Sequence, residues 1–208
     1  MVRSKQKMAR REKLLLIISA VIILLATIGF GITLIIDHTL TGRYDVINDL
    51  QEKIISANMD RRASNDRIIY ARIYRNTLDS LMDERDDIKL KQDRWKELIS
   101  DLRMAAALML TASNTLDEIS GDELKTLSEK IAKSDSPKEL YDFKWKYSLI
   151  AADGERKIES KLRAIKISIQ KYRAAKLWVL VLSVFLNSVG LLFGILSIRY
   201  RASSKDSP

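Results

Sequence analysis

The only histidine and a row of aspartates are the residues whose types are best suited to chemistry. His38 directly follows Asp37, and an imidazole beside a carboxylate is a pairing used for proton transfer. Catalysis or metal binding would need further partners, but the sequence has no second histidine and no cysteine. We therefore predict that His38 is a polar residue at a membrane boundary, with no catalytic role and no metal.

Three aspartates recur every four residues, which places them on one face of a helix. Asp79, Asp83 and Asp87 form this row, and carboxylates on one face suit a hard cation. Basic residues such as Arg85 and Lys89 interleave with them, however, and such mixtures are typical of a solvated helix face. The sequence therefore predicts no metal site here.

Motifs for enzymatic chemistry are missing from the sequence. It contains no glycine-rich phosphate loop, no G-x-S-x-G and no H-E-x-x-H. Without cysteine there is no thiol nucleophile and no disulfide. The net charge of +9 lies mainly near the ends of the chain, which does not favour nucleic-acid binding. We predict a protein that is not an enzyme, has no cofactor and binds no nucleic acid.

Two apolar runs determine the class of protein. Residues 14–36 and 177–198 contain no charged residue and no histidine, and each exceeds the roughly 20 residues that a helix needs to cross a bilayer. The first run is too long for a cleaved signal peptide, whose apolar region has about 7–15 residues. The sequence therefore predicts an all-α, two-pass membrane protein in which two transmembrane helices form a hairpin that carries a helical domain.

The basic residues predict how the chain is oriented. Residues 1–13 have six basic side chains against one acid, a net charge of +5, whereas residues 37–56 have a net charge of −2. Since basic flanks stay in the cytoplasm, we expect the N-terminal segment 1–13 and the tail 199–208 there, in a bacterial inner membrane, with residues 37–176 outside. Six basic residues in 161–176 favour the opposite orientation, but the first transmembrane helix usually dominates.

Residues 37–176 have the spacing of long helices throughout. One seven-residue repeat predicts a single long helix that begins near Tyr44 and continues through residues 74–109, with a thin apolar seam over residues 82–94 and deep burial over residues 98–110. The members of the repeat are Tyr74, Leu81, Ile88, Trp95, Leu102 and Met109. Capping boxes at Ser120–Glu123 and Ser136–Glu139 predict two helix starts. A second seam predicts that the last helix, bent at Gly154, continues into the second apolar run; its members are Ile158, Leu162, Ile165, Ile169 and Tyr172.

Each apolar run has one face of small or weakly polar residues. On the first run these are Ser19, Ala26, Gly29 and Thr33; on the second they are Ser183, Asn187, Gly190, Gly194 and Ser197. Small residues let helix backbones approach closely in lipid, either within one chain or between neighbouring copies. Trp178 and Tyr200 flank the second run and are expected to anchor it at the membrane interface.

The layout favours an interaction protein. An anchor, a helical domain of 140 residues and a second anchor are similar in arrangement to the sensory half of bacterial transmembrane receptors, although only ten residues follow the second run. We expect a membrane-anchored scaffold or sensory protein whose domain binds a partner or ligand, without its own output domain. Its expected partners are the lipid bilayer and another membrane or envelope protein, with homo-oligomers as a further option. The alternative is an oligomeric pore or membrane-perturbing effector that assembles through the small-residue faces.

Overall fold

Four α-helices make up the part of the chain that the structure describes. The structure is a computed structural model and describes residues 2–81 and 88–205. The helices are α1 (Val2–Leu81), α2 (Ile88–Thr115), α3 (Gly121–Lys133) and α4 (Pro137–Lys205). The predicted all-α class is confirmed, and α1 and α4 are each long and apolar enough to cross a membrane.

The single long helix predicted through residues 74–109 is wrong. α1 ends at Leu81 and α2 begins at Ile88, and the two helices pack side by side in opposite directions. The ion pair between Arg67 and Asp101 (3.1 Å) and the stacking of the Arg94 guanidinium on the Tyr74 ring (5.6 Å) show this reversal. Both halves of a helical hairpin can keep the same seven-residue spacing, so the repeat did not reveal the turn.

The end of α2 closes with hydrogen bonds typical of a Schellman motif. The N–H of Glu118 donates to the Ser113 carbonyl oxygen (3.1 Å), and the N–H of Asp117 donates to the Asn114 carbonyl oxygen (2.9 Å). Asp117 has a φ of 61°, in the left-handed region that usually favours glycine. Its carboxylate accepts a hydrogen bond from the Lys53 ammonium (2.7 Å), which ties this turn to α1.

Both predicted helix starts are confirmed, but neither shows the full reciprocal pattern. The Ser120 hydroxyl accepts from the Glu123 N–H (3.2 Å) at the start of α3, and the Ser136 hydroxyl accepts from the Glu139 N–H (3.4 Å) at the start of α4. The Glu139 carboxylate does not return to the cap residue. It accepts instead from the hydroxyl of Ser134 (2.7 Å), the residue directly after α3.

The chain divides into two compact units. Unit 1 comprises Met1–Asp45 and Ile165–Pro208, and unit 2 comprises Val46–Ala164. The core of unit 2 joins small residues of α1 to larger ones of the other helices; it includes Ala57, Ser64, Ala71, Leu98, Leu102, Met109, Ile131, Leu140, Tyr147 and Ile158. The hydroxyl of Ser64 donates to the Ala105 carbonyl oxygen (2.8 Å), which brings α1 and α2 close together.

Helix α4 continues through Gly154, where a bend was expected. A side chain at this position would meet the end of α2, because a Cβ would lie 2.7 Å from Cγ of Glu118 and 3.0 Å from Cβ of Leu116. Glycine is therefore required here by close packing. The prediction that one helix extends from Pro137 through the second apolar run is confirmed.

Candidate functional site

The small-residue faces of the two apolar runs meet inside unit 1. The Ser19 hydroxyl donates to the Gly190 carbonyl oxygen (2.7 Å), and a Cβ at Gly29 would lie 3.2 Å from Cβ of Ser183. Ala26, Thr33, Ser183, Gly190 and Ser197 are buried, whereas Gly29, Asn187 and Gly194 are half-buried. The structure thus brings the faces predicted from the sequence together within one chain, with α1 and α4 running in opposite directions.

The hydroxyls of these faces are mostly used within their own helices. Thr33, Ser183 and Ser197 donate to carbonyl oxygens three or four residues earlier, at 2.7–2.9 Å. A hydroxyl bonded in this way needs no partner from another helix. The contact between α1 and α4 in unit 1 therefore depends mainly on close packing.

Charged and aromatic side chains follow directly after the first apolar run. The Lys176 ammonium bonds to the Asp37 carboxylate (2.6 Å), and His38 is exposed beside this pair. The Arg43 guanidinium lies 4.7 Å from the centre of the Tyr172 ring and donates to the Ser168 hydroxyl (2.6 Å). These interactions join α1 and α4 at one end of the apolar segment, and they occupy the Asp37 carboxylate next to His38.

The outside of unit 1 is apolar. Only 11% of the most apolar 18-residue window of α1, and the same share for α4, is buried. A core helix of a soluble protein would be mostly buried, but here the exposed positions are large aliphatic side chains such as Leu24, Leu34, Val181 and Leu192. Trp178 and Tyr200, the expected interface anchors, are both exposed.

The residues of the two predicted seams differ in burial. Leu102, Met109, Ile158, Leu162 and Ile169 are buried, and Ile165 and Tyr172 are half-buried. Ile88 and Trp95 are exposed, and the side chain of Leu81 lies outside the described residues. The deep burial expected for the second half of the first seam is confirmed. Two members of its first half, Ile88 and Trp95, line a concave surface of unit 2.

That surface is an open groove of about 900 Å³, which we call the Trp95 groove. The last turns of α1, the first half of α2 and the first turns of α4 form it. Its apolar side chains are Leu78, Ile88, Trp95, Leu98, Pro137 and Tyr141. Pockets that hold small organic molecules usually measure roughly 300–1,000 Å³, so this groove has the size of a ligand site.

The groove exists because α4 begins too late to cover the end of the α1–α2 hairpin. In unit 2, Lys144 of α4 bonds to Asn65 of α1 (3.1 Å), and the two helices run in opposite directions. Both helices rise by the same distance per residue, so seven residues back from Lys144 along α4 correspond to seven residues forward from Asn65 along α1. The first residue of α4 therefore lies level with about residue 72 of α1. Residues 75–81 therefore extend beyond α4, as do the first turns of α2. Trp95 as a whole is 46% exposed.

Among the described residues that line the groove, basic side chains outnumber acidic ones. Four basic residues (Arg75, Lys91, Lys96 and Lys138) and two acids (Asp79 and Asp142) line it. Within the described residues, neither Arg75 nor Lys138 has an ion pair with an acid. An apolar floor with a basic rim suits a molecule that has an apolar body and an anionic group.

The groups with shifted pKa values lie away from this groove. Burial raises the pKa of the Asp60 carboxyl, and burial lowers the pKa of the Lys144 ammonium, which Arg61 and Arg72 lower further. Among the described residues, no group of three or more His, Cys, Asp or Glu side chains is arranged to hold a metal. Asp83 and Asp87 of the aspartate row lie outside the described residues.

Sequence reasoning missed the Trp95 groove. Trp95 was predicted only as a member of the first seam, and Lys138 and Tyr141 drew no functional interpretation. The thin apolar seam around residues 88–95 was the available signal, because a helix with few buried positions leaves its apolar side chains accessible. Comparison of the chain with protein families, with curated proteins and with solved structures gave no match.

Proposed function

We propose that this chain is a two-pass membrane-anchored binding protein whose helical domain holds a ligand in the Trp95 groove. The ligand class that fits the groove is a small molecule with an apolar body and an anionic group. The observation that carries the proposal is the apolar groove with its basic rim, within a unit whose other large core residues are buried.

The exterior of unit 1 supports the membrane anchor. A pair of helices that is small and weakly polar inside and aliphatic outside is the reverse of a soluble bundle. Burying these aliphatic side chains in lipid removes them from water at about 25 cal/mol per Å². Residues 14–36 and 177–198 are the proposed transmembrane segments, with residues 37–176 between them as the domain outside the bilayer.

The orientation we propose has both ends of the chain in the cytoplasm. The net charge of +5 in residues 1–13 supports it, because basic residues beside the first transmembrane segment resist translocation. The six basic residues of segment 161–176 favour the opposite orientation, but long loops are translocated largely regardless of their charge.

A pore assembled through the small-residue faces is the less supported alternative. Those faces pack against each other within one chain, and their hydroxyls bond within their own helices or to the neighbouring helix. For the small-residue faces to line a pore, α1 and α4 would have to separate. The aliphatic faces would then have to form the contacts between copies. The charge-free apolar runs also lack the ionisable residues that ion pathways usually have.

The three tryptophans offer a direct test of ligand binding. Trp95 lines the groove, Trp145 is exposed on α4 but does not line the groove, and Trp178 lies at the start of the second apolar run. The full chain is labelled with 5-fluorotryptophan, placed in lipid nanodiscs and titrated with naphthalene-2-sulfonate. We expect the fluorine signal of Trp95 to shift in a saturable way while that of Trp145 does not.

Two controls make this experiment specific. Naphthylmethylammonium has a similar apolar body and the opposite charge, so we expect it to shift the Trp95 signal much less. The double variant Arg75→Glu, Lys138→Glu should lower the affinity for naphthalene-2-sulfonate tenfold or more. Each substitution removes an attraction worth about 1 kcal/mol and adds a repulsion. Equal shifts at Trp95 and Trp145, or equal binding of both probes, would refute the proposed site.

A further inference from the structure

A row of six exposed residues, four of them apolar and two charged, runs along the side of α1 that faces away from the core of unit 2. We call it the outer stripe; its members are Ile55, Met59, Arg62, Asp66, Ile69 and Ile73. All six are exposed, and the four apolar ones each keep more than half of their surface accessible. Their spacing of 4, 3, 4, 3 and 4 residues is that of one helix face in a coiled coil.

The other sides of α1 are already occupied in unit 2. Ala57, Ser64 and Ala71 point into the core and are almost completely buried. α2 packs on one flank through the Arg67–Asp101 pair, and α4 packs on the other through Arg61, which bonds to Glu155. Neither helix covers the four apolar residues of the outer stripe, which stay exposed.

The stripe has the extent of a defined interface. From residue 55 to residue 73 it covers about 27 Å at 1.5 Å per residue. Continuing the same spacing gives Asn48 and Glu52 before it and Asn76 and Ser80 after it, so the apolar character ends at both sides. Exposed apolar patches with a polar boundary mark sites where another protein binds.

The charges inside the stripe indicate which protein binds. Arg62 and Asp66 occupy its middle, with two apolar residues on each side. A second stripe of the same sequence matches apolar to apolar and supplies an aspartate within reach of each arginine. Close approach is also possible, because the exposed flanking residues Ser56 and Ala63 are small.

We infer that the outer stripe joins two copies of this chain in a parallel α1–α1 contact. The parallel direction rests on the proposed function, because two chains inserted the same way in one bilayer carry the helix Val2–Leu81 in the same direction. Each stripe residue then faces its own counterpart, and Arg62 of each chain pairs with Asp66 of the partner subunit. Anchoring in one membrane raises the local concentration of the second copy and favours the contact.

The absence of native cysteine makes the test direct. Met59→Cys and Ile69→Cys are introduced singly into the full chain, and membranes are treated with a short bismaleimide. We expect each variant to form a covalent dimer with itself. Leu149→Cys, on the exposed side of α4 with similar accessibility, is the matched control and should form several times less dimer.

Charge variants test the self-pairing. Arg62→Asp in the Met59→Cys background brings four carboxylates together and should abolish the crosslink, whereas Arg62→Asp with Asp66→Arg should restore it. Three results would overturn the inference: equal crosslinking at positions 59 and 149, capture of a different protein by the Met59→Cys variant without any dimer, or a crosslink that forms only when the Met59→Cys and Ile69→Cys chains are coexpressed.

The ligand titration separates this inference from the proposed function. The Arg62→Asp variant should lose the crosslink but keep the Trp95 shift with naphthalene-2-sulfonate, because the stripe and the groove share no residue. A Met59→Cys chain could still form the crosslink while its Trp95 signal does not respond to naphthalene-2-sulfonate. That result would refute the ligand site and would still support the dimer.

Discussion

Units 1 and 2 use the same two helices in opposite ways. In unit 1, the contact between α1 and α4 is made by serine, alanine and glycine, and the large aliphatic side chains point outward. In unit 2, α1 is again small on its inner side, but α2 and α4 supply large core residues such as Leu102, Met109 and Tyr147. Ion pairs such as Arg61–Glu155 lie around that core.

The position of the large apolar side chains indicates the surroundings in which each unit is stable. In water, burial of large apolar side chains drives folding, so unit 2 places them inside. In lipid the hydrophobic effect does not drive helices together. Helices associate there through the close packing of small residues, the kind of contact seen in unit 1. The two patterns within one pair of helices are the main support for a membrane-anchored domain.

Enlarging a buried glycine should break the unit 1 pattern most strongly. Gly190 lies so close to α1 that a Cβ would be 2.8 Å from Cγ1 of Ile23, with the Ile23 backbone nitrogen at 3.4 Å. Gly190→Leu should therefore separate the helices and cost about 3 kcal/mol or more of packing. The readout is thermal unfolding of the full chain in nanodiscs.

The control for this change is another glycine of unit 1. A Cβ at Gly31 would have no atom within 4 Å, so Gly31→Leu should leave the unfolding temperature nearly unchanged. Similar losses in both variants would show that the close approach at Gly190 is not what holds α1 and α4 together.

A cavity in the unit 2 core should have the next largest effect. Leu102 is almost completely buried, so Leu102→Ala should lower stability by about 2–5 kcal/mol. Leu149→Ala makes the same chemical change at an exposed position of α4, and its effect should stay within about 0.5 kcal/mol. Circular dichroism during heating measures both. Equal effects would contradict the described core.

Two glycine-to-alanine changes should act with opposite signs. Gly154→Ala in unit 2 places a Cβ against Glu118 and Leu116 and should destabilise by about 1–3 kcal/mol. Gly42→Ala in unit 1 meets open space within a helix and should stabilise by about 0.5–1 kcal/mol. Stabilisation by both changes would indicate that α4 does not approach the end of α2 as described.

The smallest predicted effect concerns pH. Burial raises the pKa of Asp60 in unit 2, so its contribution to stability is full below the unfolded pKa near 4 and is lost as pH rises through the folded pKa. Asp60→Asn should therefore raise the free energy of unfolding slightly more at pH 7 than at pH 3. The difference between the two pH values should be within about 0.5 kcal/mol. Thermal unfolding at the two pH values measures the difference; a larger gain at pH 3 would contradict it.

Local patterns revealed much of this fold. The hydroxyl caps at Ser120 and Ser136 predicted the starts of α3 and α4, because a cap depends on only a few neighbouring residues. The small faces through Ser19 and Gly190 could also be recognised, since charge-free apolar runs leave few other positions for close helix contact. The all-helical class followed from the same spacing rules.

Features that depend on long-range register could not be predicted. The Trp95 groove exists because α4 starts about level with residue 72 of α1, short of the end of that helix, and no local pattern gives that alignment. The turn between α1 and α2 was missed because Tyr74 and Trp95 keep one heptad phase across it. The outer stripe was missed for a further reason: Ala57 and Ser64 are less hydrophobic than Ile55 and Met59, yet the packing of α2 and α4 places the smaller residues inside.

The central proposal is that residues 14–36 and 177–198 cross a bilayer and that residues 37–176 lie outside the cytoplasm, and cysteine accessibility tests it most directly. Single cysteines replace Arg10, Leu24, Trp145 and Phe185, all exposed in the folded chain, and intact spheroplasts are treated with a membrane-impermeant maleimide. We predict labelling at position 145 in intact spheroplasts, at position 10 only after permeabilisation, and at positions 24 and 185 in neither case. Rapid labelling at 24 and 185 would contradict the account.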